Sequence, residues 1–155
     1  PANGPGSIMI HVPEANKRAS ALNQYLRQDS SLPKKIQELA MLVTAREMDC
    51  QYVWNAHAAS AKAAGVAPEI VEALREGGEM PALAPDEQAV INYGQEFYRS
   101  HTVSSGGFQA ALEQLGKQGL VELTMLMGNY ALLAFLVNAF DSGLPPQRTE
   151  PILPV

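Results

Sequence analysis

The chain has 155 residues, of which 46% are hydrophobic and 17% charged, and its formal net charge is −5 at pH 7. That length suits one domain over residues 1–155 with a hydrophobic core of its own. Binding to nucleic acid requires a stripe of Lys and Arg, and the longest basic cluster here is Lys34-Lys35, so a nucleic-acid partner is not expected. A single cysteine excludes an internal disulfide.

The sequence gives no sign of a membrane protein. Its longest apolar run, residues 130–137, is shorter than the about 18 residues that a transmembrane helix needs. No charged and then apolar signal region opens the chain. We therefore expect a cytoplasmic protein without a membrane partner. Because the first residue is Pro1 rather than Met, we also expect the chain to begin part-way into a longer protein.

Apolar residues recur at helical spacing through most of the chain, and glycine or proline interrupts the pattern between the segments. Alternation typical of a strand is confined to residues 8–12. The sequence therefore predicts an all-α bundle of about six to seven helices. Residues 1–12 and the Pro-rich segment 141–155 are predicted to be irregular arms, the second of them extended over this subunit or a neighbour. The predicted helices are 14–26, 34–47, 50–64, 69–76, 87–99, 108–115 and 119–140.

The residues best suited to chemistry lie around the start of the third predicted helix, for which Asp49 is the expected N-cap. On that helix Cys50, Trp54 and His57 are spaced by four and three residues and share one face. Cys50 and His57 are roughly 10 Å apart along the axis, so they cannot touch directly. Free N–H groups and the positive end of the helix dipole predict a lowered pKa for the Cys50 thiol. His57 can act as an acid or a base near neutral pH.

Two glutamates on the preceding helix, Glu38 and Glu47, have apolar neighbours in the sequence. A buried carboxylate needs a partner, and a relay to the histidine or the cysteine would provide one. Structural roles account for the same residue types. The cysteine and the histidine can both be core residues, and Glu47 can pair with Arg46 or Lys62 at the surface. Spacing alone does not decide between a catalytic site and these structural roles.

Glu38, Cys50 and His57, separated by eleven and by six residues, resemble the pattern of the carboxymuconolactone decarboxylase family, which includes the AhpD-type alkylhydroperoxidases. The run AREMDCQYVWNAH at 45–57 looks like the core of that family, and the clear resemblance covers about residues 32–74. The resemblance implies an AhpD-like helical bundle. It also implies a homo-oligomer, a trimer or a hexamer built of dimers, with sites near the subunit contacts. No cofactor and no metal are expected.

Val53 departs from the resemblance in a way that affects the expected reaction. The peroxidase branch carries Cys-x-x-Cys-x-x-x-His, and Val53 stands where the second cysteine should be. Without a dithiol the usual peroxidase cycle is not available, although Cys50 could form a sulfenic acid that an external thiol resolves. Related sequences often have an acidic residue at this position, so the decarboxylase-like branch is also matched imperfectly.

Three functions are compatible with this pattern. The favoured one is a decarboxylase-like lyase for a small lactone or organic acid, in which His57 delivers a proton, Glu38 or Glu47 sets its tautomer, and the helix N-terminus near Cys50 holds an anion. The second is a single-cysteine hydroperoxidase or thiol redox enzyme that uses Cys50. The third is an inactive family member that binds a small ligand. The residues expected to contact the substrate are Val53, Trp54, Tyr130 and Asn138.

Overall fold

The computed structural model describes residues 3–155, which form seven α-helices and one π-helical turn and contain no β-strand. This confirms the predicted all-α fold. The helices begin and end close to where the apolar period starts and stops. The elements are α1 (Pro5–Met9), α2 (Pro13–Gln24), the π-helical turn (Tyr25–Asp29), α3 (Lys34–Glu47), α4 (Gln51–Ala63), α5 (Pro68–Glu76), α6 (Pro85–Ser100) and α7 (Ser105–Ala139).

Helix α3 is the centre of the bundle and packs against α4, α6 and α7. Every residue from 36 to 45 is buried, so this helix is enclosed on all sides rather than on one stripe. Two of its buried polar side chains donate to nearby backbone carbonyls, Gln37 to Leu32 O and Thr44 to Ala40 O. Glu38 is buried in the same stretch, so its carboxylate must be neutralised by side chains from the surrounding elements.

The connection from α3 to α4 differs from the prediction. Asp49 was expected to cap α4, but the N-cap residue is Cys50 and Asp49 has a left-handed φ of 46°. The reason is that Asp49 belongs to the end of α3. Cys50 N donates to Ala45 O and Asp49 N donates to Arg46 O, which is the Schellman pattern of helix termination. The Asp49 carboxylate also accepts a hydrogen bond from Arg46 Nη1 in the last turn of α3.

The prediction that residues 1–12 are irregular is wrong for Pro5–Met9, which form α1; residues 1 and 2 lie outside the described part of the chain. Pro5 occupies the first turn, where its missing N–H costs nothing. Gly4 N donates to Ser142 Oγ and ties this helix to the chain beyond α7. Gly4 has a φ of 82° and lies so close to Tyr52 that a side chain there would clash. Local pattern analysis could not detect these long-range contacts.

The two last predicted helices form one helical segment, α7, which is interrupted at Gly116 by a backbone with φ 69° and ψ 176°. The break between the predicted helices 87–99 and 108–115 is present but shorter than expected, because α6 ends at Ser100 and α7 already begins at Ser105. The Ser104 side chain accepts a hydrogen bond from Gly107 N and caps the first turn. Gly106 and Gly107 therefore belong to the first turn of the helix that was predicted to begin at residue 108.

Helix α7 also corrects the expectation that no segment is long enough to cross a membrane. An 18-residue stretch of it has a mean hydropathy of 1.8 and passes that test by length and composition. Half of that stretch is buried inside the bundle, and one such helix is weak evidence for a membrane span, because a core helix can pass the same test. The other half carries apolar side chains at the surface.

The arm formed by residues 141–155 contains no helix or strand and returns over α4 of its own chain. The Gln51 amide both accepts from Leu153 N and donates to Leu153 O, as a neighbouring strand would. Trp54 Nε1 donates to Pro151 O. The Leu153 side chain is buried in the core. These contacts place the end of the chain against the first turns of α4.

Glu122 of α7 is a second buried carboxylate, and it holds the segment before α3 in place. It accepts hydrogen bonds from Tyr25 Oη, from Gln118 and from both the backbone N and the hydroxyl of Ser31. Burial would raise the pKa of Glu122, but these donors outweigh burial and lower it to about 2. The carboxylate is therefore ionised in the folded protein at all but strongly acidic pH.

Glu122→Gln is expected to lower the free energy of unfolding at pH 7 by on the order of 2 kcal/mol, because charge-assisted hydrogen bonds are lost. A lowered folded-state pKa contributes stability above the unfolded value of 4.5, and that contribution disappears as the pH falls from 4.5 to about 2. The variant should therefore lose less stability than the parent across this range. Urea unfolding at a series of pH values measures the difference. Glu79→Gln, at an exposed position, is the control and should follow the parent.

Candidate functional site

A buried pair of side chains, Glu38 on α3 and His57 on α4, forms the centre of the candidate site. Glu38 Oε2 lies 2.8 Å from His57 Nδ1. The Glu38 side chain is 1% exposed and the His57 side chain 12% exposed, so the hydrogen bond is shielded and the imidazole retains limited access to solvent. Two residues nineteen positions apart thus come into direct contact because α3 and α4 pack side by side.

Two cations complete the surroundings of the Glu38 carboxylate. Arg27 Nη2 lies 3.0 Å and Lys34 Nζ 3.6 Å from Glu38 Oε1. Burial alone would raise the pKa of Glu38, but the hydrogen bond and charge of His57 and the charges of Arg27 and Lys34 outweigh burial and lower it. Glu38 is therefore an ionised carboxylate that can only accept hydrogen bonds.

The tautomer of His57 follows from this charge state. Because the ionised Glu38 carboxylate accepts, we assign a proton to Nδ1 of His57. Within residues 3–155, Nε2 has no hydrogen-bond partner. Nε2 is then the atom that can take up or release a proton, and Glu38 stabilises the imidazolium form that results.

Tyr130 of α7 closes the site from a third side. Its ring meets the His57 imidazole edge to face, with centroids 5.1 Å apart and an angle of 82° between the planes. Its hydroxyl accepts a hydrogen bond of 2.8 Å from Arg27 Nη1. Burial, together with the charge of Glu38, raises the pKa of Tyr130 against the opposing effect of Arg27. Tyr130 therefore stays a neutral phenol beside the imidazole.

Arg27 is one of two site residues that the sequence analysis missed. It lies on the π-helical turn that follows α2, and its two terminal nitrogens bind Glu38 and Tyr130 at the same time. Such π-turns are often found at functional sites, but the turn cannot be recognised from apolar spacing. Lys34 was also missed, although its position four residues before Glu38 on one helix is a detectable signal.

Cys50 is fully buried, and within the described residues no hydrogen bond joins it to His57. The prediction of a lowered thiol pKa is wrong. The nearby N–H groups of Val53 and Tyr52 do lower the pKa, but burial raises it more, so the net change is upward. The sequence shows that Cys50 lies at a helix terminus, which lowers the thiol pKa, but it does not show how deeply the thiol is buried.

The structure does not bring Glu47 or Asn138 to the Glu38–His57 pair. Glu47 forms an ion pair with Arg99 of α6 rather than with either of its expected partners. Asn138 is exposed and donates to Met48 O at the end of α3. Both side chains thus have structural contacts of their own, away from the imidazole.

Val53 and Trp54, two further predicted substrate contacts, are buried. Both belong to the apolar core, and the indole N–H of Trp54 is occupied by the C-terminal arm. Of the four predicted contacts, Tyr130 is the one whose ring packs against the imidazole. Trp54 lies in the core, and its indole N–H donates to the C-terminal arm.

An open cavity of about 490 Å³ lies beside this cluster, between α1, α2 and α7. Arg27 and Lys34, the two cations that contact Glu38, both line it. Its other walls combine amides with a few apolar side chains, which are Pro5, Met9, Asn23, Gln28, Asn129 and Leu133. A cavity with two cations and no carboxylate in its wall suits a small anionic ligand.

Within residues 3–155, no group of three His, Cys, Asp or Glu side chains is placed to hold a metal ion. The cluster itself offers the chemistry of its own side chains. They comprise one imidazole with a free nitrogen, one carboxylate, one guanidinium and one phenol, all within hydrogen-bond or ring contact of a neighbour. This arrangement can move a proton and hold an anion nearby.

Comparison with known proteins gives one family and several similar folds. Residues 13–96, more than half of the chain, match the carboxymuconolactone decarboxylase family. This range includes Glu38, Cys50 and His57. No curated protein sequence matches the chain.

Among solved structures, a protein of unknown function from Agrobacterium tumefaciens, described as a putative antioxidant defence protein AhpD, superposes with a TM-score of 0.77. The two chains are 15% identical over 90% of this chain and 97% of the other. The alkylhydroperoxidase AhpD core of an uncharacterised peroxidase-related protein from Ralstonia eutropha JMP134 gives a TM-score of 0.74, at 18% identity over 90% of this chain and 74% of the other. An uncharacterised peroxidase-related protein from Silicibacter sp. TM1040 gives 0.71, at 15% identity over 84% and 70% of the chains. These likenesses show an AhpD-like fold.

The burial of Cys50 leads to a prediction about its reactivity. At pH 7 the native protein should react with Ellman's reagent at least about a hundredfold more slowly than a free thiol, because the thiol is enclosed and its pKa is raised. The absorbance of the released thiolate measures the rate. The matched control is Ser60→Cys in a Cys50→Ala background, which places the thiol at an exposed position of α4. Equal rates for the two proteins would contradict the prediction.

Proposed function

The chain belongs to the carboxymuconolactone decarboxylase family, and we propose that it is an acid–base enzyme that acts on a small organic acid, with decarboxylation of a lactone acid as the reaction. His57 is the proton donor and acceptor through Nε2. Glu38 is the positioning residue that holds its tautomer and charge. Arg27 and Lys34 hold the carboxylate of the substrate.

The observation that carries this proposal is the 2.8 Å hydrogen bond between the buried, ionised Glu38 and Nδ1 of His57. A histidine whose Nδ1 is fixed by a carboxylate presents Nε2 with a defined orientation and a stabilised charged form. A histidine with a purely structural role would be expected to use both ring nitrogens within the core. Nε2 of His57 is instead left without a partner in the described residues.

The class of substrate is inferred from the cavity next to the pair. Arg27 and Lys34 line that cavity and also contact Glu38, whereas His57 is not among its lining residues. In the proposal, a substrate anchored there by its carboxylate extends from the cavity to Nε2 of His57. Guanidinium groups bind carboxylates through paired hydrogen bonds.

In the proposed reaction the bond between the carboxylate carbon and the lactone ring breaks, and carbon dioxide leaves. The electron pair of that bond passes into the conjugated lactone. The protonated Nε2 of His57 then delivers a proton to carbon, and the imidazole recovers a proton from water. Charge balances, because one carboxylate and one proton become carbon dioxide and a C–H bond. Neither an oxidant nor a reductant is consumed.

The thiol peroxidase alternative has less support in this chain. Val53 removes the second cysteine, Cys50 is buried, and burial raises the pKa of its thiol. A peroxidatic cysteine needs an accessible thiolate. The descriptions of the similar structures as AhpD or peroxidase-related belong to those proteins, which share at most 18% identity with this chain. For the location we propose the cytoplasm, where a lone thiol stays reduced.

His57→Ala is expected to reduce the turnover of a carboxy-lactone substrate by 10²–10⁴-fold, the usual contribution of a general acid. Glu38→Gln should reduce kcat by at least about tenfold with a smaller change in KM, since Glu38 acts on the substrate only through His57. Release of carbon dioxide, followed spectroscopically over a panel of lactone acids, measures turnover. The pH profile of Glu38→Gln should shift relative to that of the parent, which a merely structural role would not cause.

Cys50→Ala is the control for these variants and should keep most of the turnover. Loss of activity in this variant, with peroxide consumption by the parent, would favour the thiol enzyme instead. If no lactone acid is turned over, and His57→Ala unfolds at the same temperature as the parent, the third alternative of an inactive binding protein is supported.

Arg27→Lys is expected to raise KM by at least about tenfold, because a lysine cannot contact Glu38, Tyr130 and a carboxylate together. Titration of the parent with a small dicarboxylate, by calorimetry, measures binding without turnover and should show the same loss in the variant. Gln28→Ala, which alters the same cavity without removing a charge, is the matched control. Unchanged binding in Arg27→Lys would place the anion elsewhere.

A further inference from the structure

Helix α7 buries a polar side chain that uses little of its hydrogen-bonding capacity. Its two buried residues with a carboxylate or an amide group are Glu122 and Asn129. Glu122 accepts four hydrogen bonds, whereas the Asn129 side chain makes one within residues 3–155. An amide has two donor hydrogens and an acceptor oxygen, and enclosing them without partners is costly. The folded chain alone therefore does not account for Asn129.

The one partner of Asn129 is a second asparagine in the wall of the cavity that Arg27 and Lys34 line. Asn129 Nδ2 donates to Oδ1 of Asn23 on α2, at 3.0 Å. Within the described chain, this bond leaves the Asn129 oxygen and the Asn23 N–H groups without partners. Turning both amides over exchanges their roles and again leaves one oxygen and one NH2 group unused. We name Asn23 and Asn129 the amide pair.

The unused groups of the amide pair are accessible from the cavity, because both residues line it. Asn129 is 6% exposed. Its oxygen has no partner within residues 3–155, and it is not closed off from solvent. Since nearly all of this side chain is enclosed, its accessible part is the part that lines the cavity. A ligand there can reach an acceptor and a donor that lie next to each other.

A hydroxyl is the smallest group that satisfies both of these at once. It donates one hydrogen bond and accepts others, so it can donate to the amide oxygen and accept from the neighbouring N–H. A carboxylate only accepts and would meet the amide oxygen with no proton between them. The carbonyl and ring oxygens of a lactone also only accept. The amide pair is therefore complementary to a hydroxyl rather than to a second carboxylate or a lactone.

The amide pair lies close to the residue that we assign to the substrate carboxylate. Asn23 precedes Arg27 by four residues, across the junction of α2 and the π-helical turn. Side chains at that spacing are neighbours, with Cβ atoms roughly 5–6 Å apart. A ligand whose carboxylate contacts Arg27 thus brings the carbon atoms next to that carboxylate, rather than a distant end, to the amide pair.

We propose that the amide pair determines the specificity of the cavity, and that the ligand is a small carboxylic acid with a hydroxyl within a few bonds of its carboxylate. Arg27 and Lys34 hold the carboxylate. The hydroxyl donates to the oxygen of Asn129 and accepts from Nδ2 of Asn23. This inference rests on the proposed function, from which it takes the position of the carboxylate, and it adds the chemical class of the substrate.

A structural role is the alternative for the amide pair. Helix α2 buries none of its residues, and within residues 3–155 the bond between Asn23 and Asn129 is the one side-chain hydrogen bond that joins α2 to another element. Such a link would hold α2 against α7 whichever ligand is bound. It would give no preference for a hydroxyl. Two ligands that differ by one hydroxyl therefore distinguish the two roles.

The test compares succinate with L-malate and D-malate, which have the same carbon chain and the same two carboxylates and differ from succinate by one hydroxyl. Calorimetric titration of the full chain at pH 7 measures Kd. A site that hydrogen-bonds a hydroxyl rejects the analogue without it, because its own polar groups are then left unpaired. One malate enantiomer should therefore bind at least tenfold more tightly than succinate, about 1.4 kcal/mol.

Asn129→Leu replaces the amide by an apolar side chain of similar size. It should weaken malate binding to the level of succinate and change succinate binding by less than about twofold. Asn23→Ala removes the other amide at a half-buried position and leaves the core of α7 intact, and it should also reduce the preference for malate. The matched control is Asn92→Leu, because Asn92 is bonded to Gln88 on the exposed surface of α6, outside the cavity. It should keep the preference of the parent.

A preference for malate in the parent that both amide variants lose and the control keeps would support the proposal. Equal affinities of the parent for succinate and malate overturn it, as does a preference that survives Asn129→Leu. An equal loss of both ligands in Asn129→Leu also overturns it, since that is the result of a structural role.

Failure of the proposed function gives a different result. A parent that prefers malate but turns over no lactone acid supports the hydroxyl site and contradicts the lyase reaction. If neither acid binds, this inference is overturned together with the assignment of Arg27 and Lys34 to the carboxylate. The acid–base role of His57 is then still decided by the turnover of His57→Ala.

Discussion

The carboxylate of Glu38 is the constraint that organises the inner part of this protein. It lies in the middle of the most enclosed helix and is ionised, and an ionised carboxylate in such a place is stable only when donors surround it. The donors come from three other directions, with Arg27 after α2, Lys34 one turn earlier on α3 and His57 on α4. The elements that carry the chemistry are therefore the same elements that neutralise the core.

This coupling gives stability and reactivity a common origin. The carboxylate that fixes the imidazole also binds Arg27, and Arg27 in turn binds Tyr130, which packs against the imidazole. The four side chains form a closed ring of contacts, so a change at one of them alters the setting of the other three. A cavity that shares Arg27 and Lys34 with this ring is well placed to transmit the charge of a ligand to it.

The helices and the Glu38–His57 pair were predictable from sequence to different degrees and for different reasons. Apolar spacing located α2 to α7 to within a few residues, because apolar residues recur at helical spacing between glycine and proline interruptions. The pair itself was suggested by spacing and by family resemblance. Arg27 was missed because a π-helical turn positions it. The raised pKa of the Cys50 thiol was missed because its burial depends on the whole fold. Helix α1 was missed because its anchor, Ser142, lies 138 positions away.

The C-terminal arm has a consequence for how this molecule can be observed. Trp54 is the one tryptophan of the chain, and its indole N–H is hydrogen-bonded to Pro151 O of the arm. The emission wavelength of an indole depends on the polarity of its surroundings and on the hydrogen-bond partner of its N–H group. The tryptophan fluorescence of the protein therefore comes from a single position, where α4 and the last residues meet. Detachment of the arm should therefore shift the wavelength of the tryptophan emission, which can be followed without a label.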